Sequence, residues 1–349
     1  MYIKKQLLFF FCFFFFVPNV YAYSYVVMDL DSERILASQN ENSQYLIAST
    51  TKIMTCIIVL ENADLNQVIT VGEEVLSMYG TNIYVEVGEQ LSVKDLLYGL
   101  MLRSGNDAAI VLAVHTLGEK VFIQKMNEKA VEIGMKNTTF SNPHGLDDVS
   151  FNYSTAYDMA LLGQYAYQNS VYREIISTKK YLAKSSYKTY SWTNRMSLLQ
   201  QYSSCIGGKN GYTPKAGKSL VSYARKDQKT FLIVSLDDDS IYENHRHLYE
   251  KYFSLYDRYL VIDSKNFFVE STFHSKPLYL KKSFSYLLSK EEVPSITTLI
   301  RLYPTAKNQK AGVIKIYLGE KEIGSLDIYE KKNLQKKKSS FFQRIFAKK

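Results

Sequence analysis

Hydrophobic positions along the chain change their spacing several times, and each change marks a different kind of element. Tyr25–Asp29 and Arg34–Ser38 flank a polar turn and predict a hairpin. From Ser49 to about Glu61 the pattern is helical, and the nearly unbroken apolar run Ile53–Leu60 predicts a helix buried on most sides. Val93–Leu102 and Asp107–Leu117 read as helices on either side of an Arg103-Ser104-Gly105-Asn106 turn. Lys120–Ile133 is amphipathic and stops at Gly134, and Thr155–Tyr167 continues the helical block. Leu220–Arg225 and Thr230–Leu236 then read as strands. Early and late strands around a helical middle predict an α+β fold.

Beyond Asp263 the runs become short and β-like: Leu278–Leu280, Ile296–Leu302, Gly312–Leu318 and Glu322–Ile328. Residues 312–326 alternate about a Leu318-Gly319-Glu320-Lys321 turn, as a hairpin would. The expected organisation is a leader over 1–22, a main α+β domain over 23–262, a small β-rich domain over 263–330 and a basic tail over 331–349.

The two ends carry their own signals. Lys4 and Lys5 precede an apolar run from Leu7 to Val17, and Val20-Tyr21-Ala22 ends in a small residue, so 1–22 reads as a cleaved secretory signal. Such a run is too short to cross a bilayer core of about 30 Å as a helix. Residues 331–349 hold eight Lys or Arg and no acidic residue, and Phe341, Phe342, Ile345 and Phe346 fall on one helical face. That combination predicts an interfacial anchor on an anionic membrane surface.

Composition narrows the class. With 349 residues, 46% hydrophobic and 14% aromatic, the chain can bury a large core. Setting aside the two lysines of the leader and the eight basic residues of the tail turns the formal charge of +9 into −1 for the stretch between them. Basicity confined to a tail argues against a nucleic-acid partner. Only Cys56 and Cys205 remain after the leader, so disulfides do not build the fold, and the sequence leaves a bridge between those two open. Cys56 reads as a buried small hydrophobe. The histidines and cysteines show no ligand spacing such as CxxC or HExxH, and no glycine-rich phosphate loop follows a strand, so neither a metal nor a cofactor is expected.

The chemistry starts at Ser49 and Lys52, an SxxK pair that one helical turn would place on a common face. A serine needs a base to act as a nucleophile, and a desolvated lysine can be that base. By itself the pair is also ordinary capping and surface composition. Two further elements, Ser104-Gly105-Asn106 and Lys209-Asn210-Gly211, follow in order. SxxK with SxN and KTG-type elements is the signature of penicillin-binding proteins and class A β-lactamases.

The flanking residues resemble one branch of that group, the low-molecular-mass penicillin-binding proteins that are D-alanyl-D-alanine carboxypeptidases. The matching stretches are 48–55, 104–108, 142–147, 154–159 and 211–217, within a resemblance spanning roughly residues 25–260. It implies a penicillin-binding/β-lactamase-like transpeptidase fold, an antiparallel sheet with a helical cluster, followed here by the small all-β domain. It also implies Ser49 as nucleophile, Lys52 as its base and Ser104 as proton relay to the leaving amine. Asn106 would hold Lys52 and the substrate backbone, and Lys209, Asn210, Gly211 and Tyr212 would line the substrate strand. The backbone N–H groups of Ser49 and Tyr212 would form the oxyanion hole. The implied partners are peptidoglycan stem peptides and β-lactams, at the outer face of the cytoplasmic membrane or in the cell wall.

Asn210 departs from the family, which usually has Thr or Ser there to bind the terminal carboxylate. An arginine near the same carboxylate is also expected, with Arg246 and Arg225 as candidates, while Asp237-Asp238-Asp239 reads as a solvated loop. His144 reads as a loop residue, since the mechanism needs no histidine. The alternatives are a catalytically weakened protein that binds cell-wall peptides, favoured by Asn210, and a class A β-lactamase. The latter is disfavoured because no glutamate-containing loop motif stands between Ser104 and Lys209.

Overall fold

The hairpin expected near the start forms, and it makes one side of the central sheet. The computed structural model describes residues 23–331; the signal and anchor expectations, apart from Lys331, lie outside the described residues. Strands β1 (Ser24–Asp29), β2 (Arg34–Gln39), β3 (Cys205–Thr213), β4 (Gly217–Lys226) and β5 (Lys229–Leu236) form an antiparallel sheet in the order β2-β1-β5-β4-β3. The chain therefore leaves the sheet after β2, builds the helical region, and returns at the opposite edge with β3.

Side-chain alternation gives this sheet two apolar faces. Val26, Met28, Val221, Tyr223, Leu232 and Val234 join the large helical core, whereas Val27, Leu220, Ala224, Phe231 and Ile233 pack under a C-terminal helix. Helix α1 (Lys52–Asn62) is buried from Lys52 through Val59, as its continuous apolar run requires, and packs against α2 (Asn106–Leu117) and α3 (Ala156–Gln168). Helix α4 (Ile241–Leu255) covers the other face through Ile241, Tyr249, Tyr252 and Phe253.

The expected helix over 93–102 is regular only over Val93–Tyr98; Gly99–Arg103 widens into a π-helical turn and ends at Ser104 with φ 64° and ψ 33°. A wide turn followed by a left-handed residue redirects the chain abruptly, which places Ser104 at the corner before α2. The hairpin of Lys180–Lys184 with Thr189–Thr193 was hidden in the sequence because Ala183, Tyr190 and Trp192 are buried singly between exposed neighbours.

Further along, β6 (Tyr256–Ile262) pairs with β8 (Phe284–Ser289), while β7 (Leu278–Leu280), β9 (Ile296–Lys307), β10 (Lys310–Leu318) and β11 (Lys321–Glu330) form an antiparallel sheet ordered β7-β11-β10-β9. Leu280, Ala311, Ile314, Ile316, Leu326 and Ile328 give this sheet a core of its own. The β6–β8 pair is tied back to β2 by Arg34, which pairs with Glu292, donates to Leu287 O at 3.2 Å and lies over the Tyr256 and Tyr286 rings.

Candidate active site

Residues 48–51 form a 3-10 turn that runs directly into α1, so Ser49 sits just ahead of the first residue of the helix, Lys52. The turn is held by backbone pressed against backbone. Gly145, at φ +86°, lies so near that a Cβ there would meet Ala48 O at 2.0 Å. From the other side, a Cβ on Gly211 of β3 would come within 2.9 Å of Ser49 N and 3.0 Å of Thr50 N. Only hydrogen on these two α-carbons lets the loop and the edge strand close on the turn.

Lys52 is fully buried and its Nζ has three neighbours: Ser49 Oγ at 3.0 Å, Asn106 Oδ1 at 2.7 Å and His144 O at 2.5 Å. Two of these are carbonyl oxygens that can only accept, while the serine hydroxyl can also donate. A neutral amine meets all three, giving two N–H bonds to the carbonyls and its lone pair to the serine O–H. Burial first, then the charge of Lys209, holds the Lys52 pKa well below that of an ordinary lysine, with Asp107 opposing. The arrangement can take a proton from Ser49.

Asn106 is set by its own contacts. Its Nδ2 donates to Tyr79 O at 2.8 Å and its N–H to Thr81 O at 2.8 Å. The next residue, Asp107, is buried and accepts from the N–H groups of Ile83, Tyr84, Val85 and Ala108 at 2.9, 2.7, 3.3 and 2.8 Å. One α2 N-terminus thus positions the 79–85 segment, which brings Thr81 to the cleft.

The cleft is lined by Ser49, Thr81, Ser104, Arg195, Asn210, Gly211 and Tyr212. Lys209 lies beneath it, 2% exposed, donating to Asn210 O at 2.6 Å; burial and the nearby Arg195 lower its pKa to about 7. Among the described residues, four other pockets lie on the C-terminal β sheets or between them and the β1–β2 turn, and their linings hold no comparable pairing of hydroxyl and buried amine.

A family model described as D-alanyl-D-alanine carboxypeptidase matches residues 15–240. The chain belongs to this family. The chain is 35% identical over 212 residues to the D-alanyl-D-alanine carboxypeptidase DacF of Bacillus subtilis, covering 59% of this chain and 54% of the relative. It is 33% identical to DacB2 of Mycobacterium tuberculosis, covering 63% and 76%. The chain thus spans about half the length of the Bacillus relative. Among solved structures, penicillin binding protein 5 from Haemophilus influenzae aligns over 90% of this chain and 97% of its own, with TM-score 0.72 and 26% identity. Penicillin binding protein 6B from Escherichia coli covers 89% and 95%, with TM-score 0.71 and 26% identity. The α+β fold with an antiparallel sheet and a strand-rich C-terminal region is that of these carboxypeptidases.

Against that family background, the fold brings all eight residues singled out in the sequence around one cleft: Ser49, Lys52, Ser104, Asn106, Lys209, Asn210, Gly211 and Tyr212. The lining of the cleft includes neither Arg225 nor Arg246, the two arginines singled out in the sequence. Arg225 bonds Thr230 and Tyr167 on the far end of β4, and Arg195 instead occupies the cleft. Nothing in the local sequence marked Arg195; it arrives there because the 180–193 hairpin ends beside the Ser104 corner, where Arg195 N–H donates to Leu102 O at 3.1 Å. Of the expected solvated Asp237–Asp239 loop, Asp237 and Asp239 are exposed, whereas Asp238 is 2% exposed and accepts from Ser240 N–H and Asn244. His144 contributes its carbonyl to Lys52, while burial lowers its imidazole pKa to about 3 and Nδ1 accepts from Leu146 N–H. Cys56 and Cys205 are free and buried, in different clusters, and burial pushes both thiols up. Among the described residues no group of His, Cys, Asp or Glu could hold a metal ion.

Proposed function

We propose that the protein is an exported serine-type D-Ala-D-Ala carboxypeptidase that removes the terminal D-alanine from peptidoglycan stem pentapeptides and is acylated by penicillin. The observation that carries the reading is the buried Lys52 amine, 3.0 Å from Ser49 Oγ, with its other two partners restricted to accepting.

Ser49 Oγ attacks the carbonyl between the two D-alanines as Lys52 takes its proton. The C–N bond breaks, Ser104 relays a proton to the departing amine, and water then hydrolyses the acyl-enzyme to restore Ser49. Each donor of an oxyanion hole formed by the Ser49 and Tyr212 N–H groups would supply about 3 to 4 kcal/mol. Asn106 holds Lys52 and the peptide backbone. The substrate's terminal carboxylate is drawn by Arg195 as well as Lys209, which offsets the partial loss of charge that burial imposes on the lysine. Residues 23–262 form the catalytic domain and 263–330 a smaller β domain. Export by 1–22 and anchoring by 331–349 would set the enzyme at the outer face of the cytoplasmic membrane.

The test is to incubate the protein with a diacylated peptide ending in D-Ala-D-Ala, measure released D-alanine, and label in parallel with fluorescent penicillin. Release with labelling is expected, and labelling that survives Ser49→Ala would overturn the nucleophile. Asn210, which lines the cleft in place of a hydroxyl residue, favours one second reading, a weakened peptide-binding protein. Stable labelling with no release, rescued by Asn210→Thr, is the outcome that reading requires.

A further inference from the structure

Residues 263–277 connect β6 to β7 without regular structure, yet they are fixed at several points. Asp263 accepts from Lys265 N–H and Asn266, and Ser271 Oγ accepts from the N–H groups of Phe273 and His274. The His274 ring is buried, meets Tyr303 O at 2.8 Å and lies 3.5 Å from Glu330. At the end of β11, Lys331 N–H donates to Pro277 O at 3.1 Å. The loop and the point where the described chain ends are thus parts of one rim.

On that rim stand Phe268 and Phe273, 79% and 59% exposed, the two most exposed phenylalanines among the described residues. They line a shallow groove with Phe267, Leu302 and Lys331. Across 263–282 the charges are Lys265, Lys276, Lys281 and Lys282 against Asp263 and Glu270. Residues 332–349, which continue from this rim, add seven basic residues, no acidic ones, and five large apolar side chains. Exposed aromatics beside net positive charge suit the boundary between headgroups and acyl chains of an anionic bilayer.

We propose that the 263–277 loop is a second membrane-contacting surface, inserting Phe268 and Phe273 into an anionic lipid surface beside the tail. The proposal rests on the membrane-associated reading above. A single short anchor gives only marginal, reversible attachment, and a second contact converts it to stable binding with a defined orientation. The chemistry recognised is the anionic headgroup together with the apolar layer under it.

The described cysteines are buried, so Phe268→Cys in the chain from residue 23 to 349 offers a selectively accessible thiol for a polarity-sensitive fluorophore. Leu76→Cys, at a residue 73% exposed within the main domain, serves as control. With phosphatidylglycerol–phosphatidylcholine vesicles, emission from position 268 should shift to the blue while position 76 does not change. Phosphatidylcholine vesicles alone should leave both unchanged. Co-sedimentation with the anionic vesicles should weaken about tenfold for each of Phe268→Ser and Phe273→Ser. Binding without a shift at 268 would sink the loop contact and leave the tail reading standing. No vesicle binding would sink both. A blue-shifted emission at 268 before vesicles are added, unchanged by them, would mean that the tail's own aromatic face fills the groove, and would also overturn the proposal.

Discussion

Lys209 Nζ donates to the carbonyl of its neighbour Asn210 at 2.6 Å, inside a cleft where the ammonium is 2% exposed. The folded protein holds this proton less tightly than the unfolded chain, with a pKa of about 7 against the ordinary 10.5. Stability from this residue therefore falls as pH drops from about 10.5 to about 7 and stays low below that. Lys209→Met should abolish carboxypeptidase activity while raising Tm by several degrees at pH 6 and by less at pH 9. Calorimetry at the two pH values checks this; an equal gain at both would mean that the lysine is not strained by its charge.

Arg195 is the second cause of the lowered Lys209 pKa, after burial. Replacing it with glutamine should let Lys209 keep its proton to higher pH. The alkaline limb of the rate profile then moves upward, while KM for the peptide rises about tenfold or more from the lost carboxylate contact. A raised KM with an unmoved limb would separate Arg195 from Lys209.

Asp107 touches no substrate in this scheme, yet it holds the 79–85 segment and raises the Lys52 pKa. Asp107→Asn turns an N–H group toward backbone donors and should cost about 1 to 3 kcal/mol of stability. Lys52 would lose its proton still more readily, so the acid limb of penicillin acylation should move to lower pH. A stability loss with an unchanged profile would confine Asp107 to a purely structural role.

Gly145→Ala should be more damaging than its chemistry suggests. The new methyl group would fall 2.0 Å from Ala48 O at a left-handed backbone position. A loss of about 2 kcal/mol or more is expected, with penicillin acylation reduced at least tenfold even at temperatures where the variant is folded. Unaltered acylation kinetics would show that the turn tolerates displacement.

The legible part of the site was the part written in short spacings. Ser49–Lys52, Ser104–Asn106 and Lys209–Gly211 each sit within one turn or one strand segment, so local pattern places them. Arg195, Thr81 and the His144 carbonyl depend on how distant segments pack, and no short pattern announces them. The same holds for the fold. The α1 run and β5 declared themselves through nearly unbroken apolar stretches, whereas the 180–193 hairpin buries Ala183, Tyr190 and Trp192 singly between exposed neighbours. Helix α4, with Asn244, His245, Arg246 and His247 in its first turns, hides a fully buried imidazole that Ser222 and Ser235 satisfy.

The two free cysteines among the described residues lie on opposite faces of the central sheet, Cys56 in the helical core and Cys205 under α4. Each is therefore a natural reporter of the layer that covers it. Under native conditions, the relative rates at which a thiol reagent reaches them would rank the opening of the two layers without any engineered probe. Because α1 carries both Cys56 and Lys52, exposure of the first thiol would also time the moment at which the nucleophile's base meets water.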